Sequence, residues 1–141
     1  MHHRRGFSLI ELVVVLVILA LLAGIAVTRL SRAVESSGET ALSRDLQVLR
    51  RAIEGYHAEH GAYPTAANVD AQLTQYSDAA GATSATRQGA FIYGPYLREV
   101  PAVPTGPAKG NRGIGAAAGA GIGWVYNEAE GSITPSTASG S

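Results

Sequence analysis

A single carboxylate, Glu11, stands inside an apolar run from Phe7 to Thr28, 22 residues with no other charge. Near the centre of a bilayer such a group costs roughly 2.5–3.5 kcal/mol, and less near the edge. A chain that keeps the residue uses it, so Glu11 is the first candidate for a function. Other chemistry-bearing side chains are sparse. His57 and His60 lie three apart beside Glu54 and Glu59, which brings a zinc site to mind. The order is not His-Glu-x-x-His and no third ligand is evident, so a solvated helix end is the simpler reading. Gly113-Ile114-Gly115-Ala116-Ala117-Ala118 matches a relaxed dinucleotide fingerprint by letters alone, in a low-complexity stretch with no acidic partner. A flexible loop is expected there. Trp124 and the six Tyr residues would serve either as a binding patch or as a core, and a small domain needs its aromatics for the core. No Gly-x-Ser-x-Gly elbow or phosphate loop occurs, and no catalytic residue is nominated.

These residues need elements to position them. As a helix, Phe7 to Thr28 spans about 33 Å, enough to cross a hydrocarbon core of about 30 Å. The helix is the required form for a single span, because lipid offers no partners for free backbone groups. Ahead of it stands a short basic start, Met1-His2-His3-Arg4-Arg5-Gly6. Three ordinary readings compete: a secretory signal cut before Val27, a twin-arginine export signal beginning Arg4-Arg5, and a plain signal anchor. Export signals have no use for Glu11.

Beyond Thr28, Leu30, Val34, Leu42, Leu46, Leu49, Ile53 and Tyr56 follow steps of three and four, with charges mostly elsewhere. That is an amphipathic helix. Ser36-Ser37-Gly38 weakens it and allows a kink, and Gly61 with Pro64 supplies the stop. The remainder is expected to be loop-rich. A short helix is expected near Val69–Tyr76, a surface loop over Ala79–Gly89, a strand at Ala90–Tyr93 and a featureless Gly/Ala stretch from Gly106 to Gly123. Trp124-Val125-Tyr126 and Ser132-Ile133-Thr134 read as a hairpin around a turn at Asn127–Gly131.

Arg5-Gly6-Phe7-Ser8-Leu9-Ile10-Glu11-Leu12 with its aliphatic continuation resembles the N-terminal signal of type IV prepilins and type II secretion pseudopilins. Tyr56 to Thr65, ending Gly61-Ala62-Tyr63-Pro64-Thr65, is similar to the helix exit of major pseudopilins. Gly94-Pro95-Tyr96-Leu97 and the Trp124 hairpin are similar to parts of their heads. The likeness is good over residues 1–65 and patchy beyond. It implies cleavage by a prepilin peptidase after Gly6, methylation of the new N-terminal Phe7, and an assembly role for Glu11. It implies self-association into a filament with other pseudopilins or minor pilins, an inner-membrane assembly platform, and lipid around the first helix. The implied place is the bacterial inner membrane, single-pass, with a cytoplasmic leader and a periplasmic head. The implied role is a structural subunit driving protein export, or else a type IV pilus subunit for adhesion, motility or DNA uptake. An exported binding protein with a signal anchor is the remaining alternative. Thr28 stands where many members have Pro, with Gly24 one turn earlier as a softer point. Major pseudopilins often bind calcium through an Asp-Pro-Trp-Gly loop. Here Pro104-Thr105-Gly106 takes its place without a carboxylate, so no metal ligand and no cofactor is assigned.

The totals agree with a small subunit. A chain of 141 residues has room for about one modest domain. Without Arg4 and Arg5, nine basic residues face eleven acidic ones, a balance of −2, and no basic tract with aromatics suggests nucleic acid. The absence of Cys excludes a disulfide framework. The expected fold class is α+β, a long N-terminal helix packed on a small antiparallel β head. Its expected segments are a leader (1–6), a membrane half of the helix (7–28), an amphipathic half (29–61), a head (62–134) and a disordered tail (135–141).

Overall fold

The computed structural model describes residues 6–138. Arg4, Arg5 and the last three residues of the expected tail lie outside them. The first element, α1, runs from Leu9 to His60, and the chain divides into two compact units at Ser37/Gly38.

The first unit is the apolar part of α1. Every large apolar side chain from Phe7 to Ile25 is at least 48% exposed, as befits a helix that is apolar all round and has no wet face to turn outward. By length and composition it is long and apolar enough to cross a membrane.

The second unit begins at Gly38, which the sequence suggested as a kink. The helix continues through it, and the glycine has a different use. A Cβ there would lie 3.0 Å from the Cβ of Thr105, so the missing side chain lets the 104–106 turn close on the helix. The inner stripe of α1 then supplies Leu49, Ala52, Ile53 and Tyr56 to the core, as the steps of three and four require. Gly61, at φ +72°, ends the helix by donating its N–H to His57 O at 2.8 Å, the left-handed stop that glycine takes without Cβ strain.

Helix α2, Val69–Thr74, falls where a short helix was expected and buries Val69 and Leu73. Two small sheets complete the head. In the first, β1 (Tyr76–Ser77) pairs antiparallel with β2 (Thr83–Ser84). The second contains β3 (Gly113–Gly115), β4 (Ile122–Asn127) and β5 (Ser132–Pro135) in that order. The β4–β5 hairpin is the expected one, with Tyr126 opposite Ile133. The β3–β4 pair is parallel, so this sheet is mixed.

Strand β3 lies in the stretch expected to be featureless, and glycine explains both facts. A Cβ on Gly123 would sit 2.3 Å from the Asn111 carbonyl oxygen. Backbone therefore packs on backbone, without the alternating side chains that mark a strand. Two further expectations are corrected. Ala90–Tyr93 makes only isolated bridges, Gln88 to Phe91 and Ser77 to Tyr93, one closing a local turn and the other meeting the last residue of the two-residue strand β1. Pro135 belongs to β5, and Ser136 is buried with its N–H on Gly123 O at 2.8 Å. The ordered chain thus passes the boundary placed at 134.

Trp124, Tyr126 and Ile133 from the hairpin, with Val100, Val103 and Ala108, meet the stripe of α1 in one core. Trp124 is fully buried and donates Nε1–H to Pro101 O at 2.8 Å. Tyr126 donates its hydroxyl to Pro64 O at 2.9 Å. Both aromatics have the polar partner that burial demands.

Candidate processing and assembly site

The residues singled out at the N-terminus lie together at the start of α1. Gly6, Phe7 and Ser8 precede the helix, and the first helical bond runs from Leu12 N–H to Ser8 O at 3.2 Å. Among the described residues nothing lies within 4 Å of a Cβ built on Gly6. Phe7 is 80% exposed. Glu11 falls in the first turn, where the unpaired N–H groups of the helix favour a negative charge. It is exposed, as are the apolar side chains that follow it.

The histidines go elsewhere than a metal. Among the described residues no group of three or more His, Cys, Asp and Glu is placed to hold an ion. His57 stacks on Tyr63, with ring centroids 4.2 Å apart. His60 is not the solvated helix end that was expected. Its Nδ1 lies 3.0 Å from Tyr56 O, and its Nε2 lies 3.0 Å from Asp78 O and 3.1 Å from Ser77 Oγ. Stacked on Tyr56 at 3.9 Å, it fastens the end of α1 to β1. No sequence pattern marks this, since Ser77 and Asp78 lie 17 and 18 residues further along the chain.

The loop in place of a calcium site closes by itself. Val103 N–H donates to Asn111 O at 3.0 Å and Gly110 N–H to Val103 O at 2.8 Å. Residues 103–111 contain no carboxylate, so their donor set does not fit a calcium ion. After β3 the chain enters a loop and then β4, the wrong context for a dinucleotide turn. Trp124 lies in the core and not in a surface patch. Tyr96 hydrogen-bonds Glu59, and burial followed by that carboxylate pushes its hydroxyl pKa upward.

Comparison with known proteins bears on the same segments. The family described as prokaryotic N-terminal methylation motif matches residues 1–27. Type II secretion system core protein G of Klebsiella pneumoniae is 32% identical over 106 residues, covering 75% of this chain and 72% of the relative. The protein of the same name from Aeromonas hydrophila is 30% identical over 109 residues, with 75% and 72% covered. Competence protein ComGC of Halalkalibacterium halodurans is 30% identical over 70 residues, 50% of this chain and 67% of the relative. No solved structure matches. With the methylation motif, one long apolar helix and a small α+β head, this chain belongs to the type IV pilin and type II secretion pseudopilin family.

Proposed function

We propose that this chain is a major-pseudopilin-like subunit of a short filament that drives protein export through type II secretion. The observation that carries the reading is the exposed apolar segment from Phe7 to Ile25, helical from Leu9 and interrupted by the charge of Glu11 in the first turn. Such a surface suits lipid first and copies of itself afterwards. Family membership supplies the coarser statement, a membrane-anchored structural subunit that assembles with pilin-like partners.

The finer roles follow from the chemistry. A prepilin peptidase cuts after Gly6 and methylates Phe7. The amine of Phe7 stays positive, and Glu11 lies about one turn deeper. In the low dielectric of the membrane edge, Glu11 meets the amine of a neighbouring copy and rejects subunits added without that contact. The head faces the periplasm, and an inner-membrane platform receives the subunits.

A second reading, a pilus-type subunit, is favoured by the likeness to a competence protein. Deleting the gene tests both. Loss of exported enzyme from the medium supports the secretion reading, whereas intact export with lost transformation or motility supports the pilus. Mapping the mature N-terminus tests what they share: Phe7 is expected, and a start at Val27 would return the chain to the export-signal class.

A further inference from the structure

From the two arginines that follow the apolar segment, we infer a binding site for an anionic lipid, whose headgroup phosphate Arg29 and Arg32 clamp together. The inference rests on the membrane anchorage of α1, and holds whether the filament serves secretion or a pilus. Both side chains are exposed, and both belong to the unit that ends at Ser37. Three residues apart on a helix, they are surface neighbours, so their guanidinium groups can converge on one phosphate. Among the described residues the ion pair found is Arg112–Glu99, and neither arginine enters one. Glu35, three residues beyond Arg32 and also exposed, does not pair with it.

Position supplies the phosphate. Glu11 and Arg29 are 18 residues apart, about 27 Å along the axis, against a hydrocarbon core of about 30 Å. With Glu11 at one edge of the bilayer, Arg29 reaches the other, and its long stem carries the charge out to the headgroups. Arg32 lies about 4.5 Å further on, and Glu35 as far again. The charge order therefore matches the layers that the helix meets on leaving: phosphate beside the arginines, water beside the carboxylate. Guanidinium suits the task, because its planar fork binds phosphate oxygens in pairs. A zwitterionic headgroup brings its own ammonium to compete for that phosphate, and an anionic headgroup does not. The anionic lipid is accordingly preferred. A subunit entering a filament gives up this contact, so the clamp also holds unassembled subunits in the bilayer.

The test places the full-length chain in phosphatidylcholine vesicles with a trace of spin-labelled phosphatidylglycerol or spin-labelled phosphatidylcholine. Electron spin resonance gives the fraction of each label slowed at the protein surface, and from it their relative affinity. Phosphatidylglycerol is expected to be preferred, and Arg29→Gln or Arg32→Gln alone should cut the preference by about fivefold. The double variant should bring the two lipids close to equal affinity. Arg50→Gln with Arg51→Gln removes the same charge outside the bilayer and is expected to keep the preference. The head lies in the other unit, so an unchanged melting midpoint checks that each variant folds. Equal affinities in the parent would overturn the site. So would a preference that survives Arg29→Gln/Arg32→Gln, or one that falls equally with Arg50→Gln/Arg51→Gln. If the parent slows neither label, the anchorage itself fails, and the site with it.

Discussion

Glu11 and Gly6 sit five residues apart and fail in different ways when changed. Gly6→Val places a branched side chain where the proposed peptidase would approach, so uncut precursor is expected on a gel; normal-sized mature protein would count against the processing site. Glu11→Val is expected to leave cleavage and insertion intact and to abolish assembly. Filaments from fully processed Glu11→Val protein would reduce the residue to a local partner of its own helix dipole. In the head, Trp124→Ala should cost about 3–5 kcal/mol, read as a lower melting midpoint of the full chain in detergent. Tyr126→Phe removes the donor to the Pro64 carbonyl and should cost about 1–3 kcal/mol. Burial, then Glu128, raises the pKa of the Tyr126 hydroxyl. The folded state thus holds that proton above pH 10, where the unfolded chain gives it up, so stability is full below about pH 10 and declines above it. Tyr126→Phe should flatten that alkaline decline, and an equally steep decline in the variant would assign it to other groups such as Tyr56, whose pKa is also raised by burial.

At the scale of elements, what the sequence made legible was what repeats. The inner stripe of α1 was visible because apolar residues recur at helical steps, and the β4–β5 hairpin because aromatic and β-branched residues flank a turn. Strand β3 was invisible because its partners touch glycine backbone, which leaves no period of two to read. The stop of α1 was legible from Gly61 with Pro64 after it, and it carries its own test. At φ +72° an alanine pays about 1–2 kcal/mol for the left-handed conformation. Nothing lies within 4 Å of the added Cβ, so no clash is added to that cost. Gly61→Asn should cost less, since Asn tolerates that region. Equal melting midpoints for Gly61→Ala and the parent would mean that the helix ends by another device. Gly38 shows the limit of such reading: its type suggested a weak point, and its surroundings make it a seat for Thr105.

Across the whole molecule, one half was legible as composition and the other only as contacts. An aliphatic run with one carboxylate points to lipid and singles out Glu11 without any tertiary information. Gly6 and Phe7 were nominated by resemblance to the prepilin signal, and the roles given to all three residues are proposals. Beyond its hairpin and short helix the head was not legible, because Gly123 and Ser136 act through backbone contacts 12 and 13 residues away.

The core of that head closes late. Its two largest fully buried side chains, Trp124 and Tyr126, come with Ile133 from the final hairpin, and they share one core with Leu49, Ile53 and Tyr56 from the first element. A chain emerges from the ribosome N-terminus first. Until residues 124–133 are made, the second half of α1 has only the aliphatic side chains of residues 69–108 to set against its apolar stripe. Only when the last residues arrive does the lid of the core exist. A nascent subunit is therefore an unfinished one, exposed to its neighbours and to proteases. Quality control needs no sensor of the head's shape: a chain cut short before the hairpin advertises the defect by the stripe it leaves uncovered.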